Sequence, residues 1–168
     1  MGNVRKLRPN HSPPPSPSRL TRSGRGALAG ALAAALWAAQ QPLDKRVFGF
    51  PFDDVELLGK AVTSGPHWRA AGMAMHLANG AAFGIVYANL QARARGVHVR
   101  GRGPAAALAE HVASWPATAL TDRFHPRRSE LPVLHGSSRA YAQAAWRHLV
   151  FGAALGELER RFNGAGVA

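Results

Sequence analysis

The chain has 168 residues, with 21 Lys and Arg against 9 Asp and Glu for a formal net charge of +12, a length that allows one domain around one core. It has no cysteine, which excludes a disulfide-stapled scaffold, thiolate-held zinc or iron–sulfur centres, and a cysteine nucleophile. Charged residues are only 18% of the chain, below the roughly 25% of soluble domains, and all but Lys6, Lys45 and Lys60 of the basic residues are Arg, a bias that a GC-rich genome also produces.

Residues 1–24 read as a disordered tail, because Arg5, Lys6, Arg8, Arg19 and Arg22 surround the Pro/Ser run from Ser12 to Ser18 with no acid among them. From Gly26 to Leu43 no residue is charged and most are Ala or Leu, which predicts a first helix over about 26–43. Its length approaches the roughly 20 residues that cross a hydrocarbon core. A cleavable signal peptide is a rival account of residues 1–39, but the uncharged run continues past any cut near Ala33–Ala35.

The connection from Asp44 to His67 alternates Phe48, Phe50 and Phe52 with Gly49 and Pro51. Asp53 or Asp54 then caps a short helix with Val55, Leu58 and Val62 on one face. Two readings stand for it: an amphipathic segment at a membrane surface, or a lid packed over the bundle. A second uncharged run, Ala70 to Ala92, predicts a helix over about 69–92 and lacks the charged face of a water-exposed helix. The third segment, 103–121, contains Glu110 and His111, and the fourth, 138–158, contains Arg139, Arg147 and His148. Residues 163–168 read as a flexible end.

An internal likeness joins these segments. His76-Leu77-Ala78-Asn79-Gly80-Ala81-Ala82-Phe83-Gly84 returns as His148-Leu149-Val150-Phe151-Gly152-Ala153-Ala154-Leu155-Gly156, and Trp37, Asp44 and Lys45 correspond to Trp115, Asp122 and Arg123. The expected fold is therefore all-α, a four-helix transmembrane bundle built from two repeated helical hairpins over residues 25–162. The acid-free basic stretches, the tail to Arg25 and the loop Arg93–Arg102, place both termini and the middle loop in the cytoplasm by the positive-inside rule. The expected location is thus the inner (plasma) membrane, crossed several times.

Small residues recur at four-residue steps: Gly26 and Gly30, then Gly72, His76, Gly80 and Gly84, then Ala144, His148, Gly152 and Gly156. Such stripes let helix backbones approach closely, and Gly26, Gly30, Gly80, Gly84, Gly152 and Gly156 are the expected packing positions, within one chain or between copies in a homo-oligomer. A charge inside a span needs a partner, so Glu110 is expected to pair with His76 or His148. The first reading of these groups is structural. The second is a cluster of His76, Glu110, His111 and His148 that binds a metal or haem or relays protons, although Glu110 and His111 are adjacent and diverge on a helix. The third makes the chain a soluble or peripheral basic helical protein that binds acidic partners.

No serine-nucleophile, phosphate-loop or dinucleotide motif is present, so neither an enzyme activity nor a cofactor is expected. Nor is there a nucleic-acid motif; lipid is the expected partner, including anionic headgroups. The pattern His76-Gly80-Gly84 and His148-Gly152-Gly156 resembles that of small four-helix bacterial inner-membrane proteins, over about residues 24–162. That resemblance implies a location and a topology but no catalytic residue.

Overall fold

The computed structural model describes residues 17–94 and 101–164. The described residues are all helical, without strands: α1 (Arg19–Phe48), α2 (Asp54–Val62), α3 (Trp68–Arg93), α4 (Arg102–Ser114), α5 (Thr118–Phe124) and α6 (Ser138–Asn163). Helix α1 starts at Arg19, inside the stretch expected to be tail, because the Ser18 hydroxyl accepts from the Thr21 N–H and caps it. The rest of the expected tail, the middle of the Arg93–Arg102 loop and the last residues lie outside the described residues. The third expected helix is broken instead of continuous: α4 ends at Ser114, a 3-10 turn covers Trp115–Ala117, and α5 follows. Pro116 lacks the N–H that the α-helical ladder would use there.

Helix α1 packs against both α3 and α6, and α4 packs against α6. The row α3–α1–α6–α4 thus has α1 and α6 at its centre. Glycines set the close approaches within it. A methyl group on Gly30 would collide with the Gly80 carbonyl, one on Gly84 with the Gly26 carbonyl, and one on Gly103 with the Gly152 carbonyl. Helix α2, capped by the Asp53 carboxylate on the Glu56 N–H, lies on α3 through Gly59 against Trp68 and Gly72 against Val55. This is the packed-lid arrangement.

The membrane-spanning expectation is overturned: no helix among the described residues is long and apolar enough to cross a membrane. Absence of charge is not apolarity. The uncharged runs are rich in Ala and Gly and hold Gln40, Gln41, His76, Asn79 and Gln91, α4 is only 13 residues long, and α6 carries Arg147, Glu157 and Glu159. With no span, the several-times-crossed inner-membrane location and the orientation read from the basic loops are withdrawn.

Candidate functional site

The core holds a charged knot. Arg147 on α6 and Asp44 on α1 are both shut off from solvent, and the guanidinium grips the carboxylate in a fork, Nε to Oδ2 at 2.7 Å and Nη2 to Oδ1 at 2.6 Å. The same guanidinium donates to Asp54 Oδ2 at 2.7 Å and to the Phe52 carbonyl at 2.9 Å. Gln40 and Gln143 also donate to Asp44, and the Trp37 indole donates to Asp54. Burial alone would lower the Arg147 pKa, but the hydrogen bonds and charges of Asp44 and Asp54 outweigh it and hold the group above its ordinary value. The sequence marked Arg147 as needing a partner; its acids lie far away in the chain, on α1 and α2.

The candidate residues His76, Glu110 and His148 do not form one cluster. His76 Nε2 faces the Ala34 carbonyl at 3.1 Å and so ties α3 to α1. His148 Nε2 meets Glu110 Oε2 at 2.8 Å, the second of the two pairings expected, and ties α6 to α4. The Trp37 ring is a neighbour of both histidines, with centroids 5.5 Å from His76 and 4.6 Å from His148. Among the described residues no group of three or more His, Asp or Glu side chains is placed to hold a metal ion.

His148 Nδ1 lies 2.7 Å from the Ala144 carbonyl, which can only accept, so Nδ1 carries a proton. The hydrogen bond from His148 lowers the Glu110 pKa against the opposing effect of burial. Beside them His111, buried against Trp115, Tyr141 and His148, has its pKa lowered by burial first and by the His148 charge second, with Glu110 opposing. Its Nε2 is buried without a hydrogen-bond partner. Glu110, His111, Trp115 and His148 line a cleft of about 590 Å³ that opens between α3 and α4 across the α1–α6 pair.

The second feature is at one end of the bundle. Antiparallel packing brings together the start of α1, the end of α3, the start of α4 and the end of α6, as shown by Arg22 on Asn89, Arg25 on the Phe162 carbonyl and Arg102 on Gln91. Arg19, Arg22, Arg25, Arg93, Arg102, Arg160 and Arg161 all sit at this end, where the acids among the described residues are Glu157 and Glu159. Arg160 and Arg161 share Glu157. Arg19, Arg22 and Arg93 instead surround a concavity of about 280 Å³ with Asn89. Asn89 bonds Ser23 and the Ile85 carbonyl, which fixes its amide. The sequence showed basic runs; their convergence needed the fold.

In comparison with known proteins, the chain matches no family model, no curated protein and no solved structure.

Proposed function

We propose that this is a basic helical binding protein that docks on the phosphate headgroups of acidic lipids through its arginine end. The observation that carries the reading is the gathering of seven arginines from four helix ends, with two acids among them. The sequence adds Arg5, Lys6, Arg8, Arg95 and Arg100, and no acid, in the segments that join the described residues at that end. Each basic side chain near an acidic lipid surface is worth about 1 kcal/mol, an attraction that fades beyond about 8–10 Å at ordinary salt. Leu20, 86% exposed among the arginines, supplies an apolar side chain for the interface. The aromatics at this end, Tyr87 and Phe162, are buried or half-buried, so among the described residues no stacking platform for nucleic-acid bases accompanies the charge. A duplicated hairpin belongs to the same proposal; it is supported by the matching glycine contacts, Gly26 and Gly30 on Gly80 and Gly84, and Gly103 on Gly152 and Gly156.

Co-sedimentation with vesicles tests the docking. Binding is expected with phosphatidylglycerol present and not with phosphatidylcholine alone, and about 0.5 M NaCl releases it. Replacing Arg19, Arg22 and Arg93 together by Gln weakens binding on the order of 100-fold, from about 1 kcal/mol per arginine. Replacing Arg123, Arg127 and Arg128 leaves it unchanged. Equal binding to neutral vesicles, or a preference for an oligonucleotide over acidic vesicles, overturns the reading.

A further inference from the structure

The cleft between α3 and α4 lies apart from the arginine end, and its lining shares no residue with the concavity there. Its volume of about 590 Å³ falls in the range of roughly 300–1,000 Å³ that encloses small molecules. Trp37, Phe83, Val86, Trp115 and Phe151 make most of its wall apolar. The chain has 21 Lys and Arg, yet none lines this cleft, where the charged residues, histidines aside, are Asp54 and Glu110.

The two acids differ in what they have left to accept. Asp54 Oδ2 already takes the Trp37 indole N–H and Arg147, a guanidinium shut off from solvent whose other donors are on Asp44 and the Phe52 carbonyl. Glu110 is the open one: its side chain is 44% exposed, against 14% for His148. His148 and the Ser114 hydroxyl bond its carboxylate, and since a carboxylate offers about four acceptor positions, some remain. The bond from His148 also keeps Glu110 ionised at neutral pH. His148, the member of the pair that could attract an anion, is the covered one, with both ring nitrogens engaged on Glu110 and the Ala144 carbonyl. His76 and His111 are buried and offer no open N–H in its place. An ammonium group entering here finds a carboxylate with free lone pairs among aromatic rings, which themselves attract cations. We propose that the cleft binds an apolar organic cation, an amine whose ammonium group donates to the Glu110 carboxylate and whose hydrocarbon part packs among Trp37, Phe83 and Phe151.

Four probes of one shape separate the alternatives: phenylbutylamine, phenylbutanol, butylbenzene and phenylbutyrate, titrated against the intact protein while following tryptophan emission, since Trp37 and Trp115 line the cleft. Phenylbutylamine is expected to bind saturably and about tenfold more tightly than the other three, the effect of one hydrogen bond between charged groups. Glu110→Gln, which keeps an oxygen for His148, brings the amine down to the level of the alcohol and leaves butylbenzene unchanged. Ala82→Trp, placed on an exposed residue at the cleft wall, abolishes amine binding. Circular dichroism checks the fold of both variants. The proposal fails if any of the other three probes binds as tightly as the amine at a site that Ala82→Trp closes, or if the amine keeps its advantage in Glu110→Gln. It fails equally if Ala82→Trp leaves amine binding intact, or if sedimentation shows a dimer that Ala82→Trp dissociates, since the occupant is then a second copy of the chain.

Discussion

At the scale of single residues, the molecule puts its most polar groups where burial penalises them most. The Arg147–Asp44 fork gains little net stability, because desolvation of two ions offsets much of their attraction. What it supplies is registry: a guanidinium bound to Asp44, Asp54 and the Phe52 carbonyl allows only one placement of α6 against α1 and the turn before α2. His111 is the opposite case, a buried ring whose neutrality is enforced by its surroundings. Its pKa lies below the ordinary 6.5, so between the two values the unfolded chain binds a proton that the folded chain refuses. Stability is therefore full above about pH 6.5 and falls as the pH drops through that window. Glu110, held below 4.5, adds a loss in the same direction only at more acid pH. Urea unfolding at about pH 8 and about pH 5.5 should show wild type losing stability on acidification and His111→Phe losing less. At about pH 8 the variant should be about 1 kcal/mol more stable, because it no longer buries an unpaired nitrogen. An unchanged pH response in the variant would show that another group causes the loss.

At the scale of the helices, the glycine positions are where sequence and structure agree most closely. Gly26, Gly30, Gly80 and Gly84 join α1 to α3, and Gly152 and Gly156 face Gly103 across α4 and α6. Four-residue spacing alone marks these positions, and close approach needs glycine whatever surrounds the helices. Gly30→Ala should cost about 1–3 kcal/mol, since the helices must separate to admit a methyl group. Gly24→Ala, on the same helix with nothing within 4 Å of the new methyl, should instead stabilise by about 0.5–1 kcal/mol through helix propensity. Thermal melts of the two variants moving in the same direction would refute the seam. The extent of α3, expected over 69–92 and found at Trp68–Arg93, was legible for a similar reason, a long run without charges or breakers. Proline was not legible from its identity: Pro42 lies within an unbroken α1, whereas Pro116 follows the end of α4. On both sides of Pro42 the chain is held by burial of Trp37, Gln41 and Asp44. The two acids that the internal sequence likeness aligns have different partners. Asp44 grips Arg147, while Asp122 accepts the backbone N–H groups of Leu134 and His135, a difference that tertiary neighbours create and the sequence alone does not reveal.

At the scale of the whole molecule, the charges of the described residues are arranged differently at the two ends of the bundle. Arg19, Arg22 and Arg93 lie close together without a carboxylate among the residues lining their concavity. At the other end, Lys60 is tied to Glu56 and Glu130, and Arg127 to Glu130. Salt acts oppositely on these two ends: it screens repulsion at the first and attraction at the second. Exposed ion pairs are worth little, whereas like charges gathered at one end strain the compact state, so repulsion should prevail. Raising NaCl from about 0.02 M to about 0.5 M should relieve about 1 kcal/mol and raise the melting temperature by about 2–4 °C for a chain of this size. The triple Arg19→Gln, Arg22→Gln, Arg93→Gln variant should start from a higher melting temperature in low salt and respond less to added salt. The corresponding Arg123, Arg127 and Arg128 replacement should keep the full response, because those residues stand at the end that also holds Glu56, Asp122 and Glu130. A melting temperature that falls with salt in wild type, or two triple variants that respond alike, would mean that the arginine end carries no stored repulsion. An acidic surface would then have none to relieve on docking there.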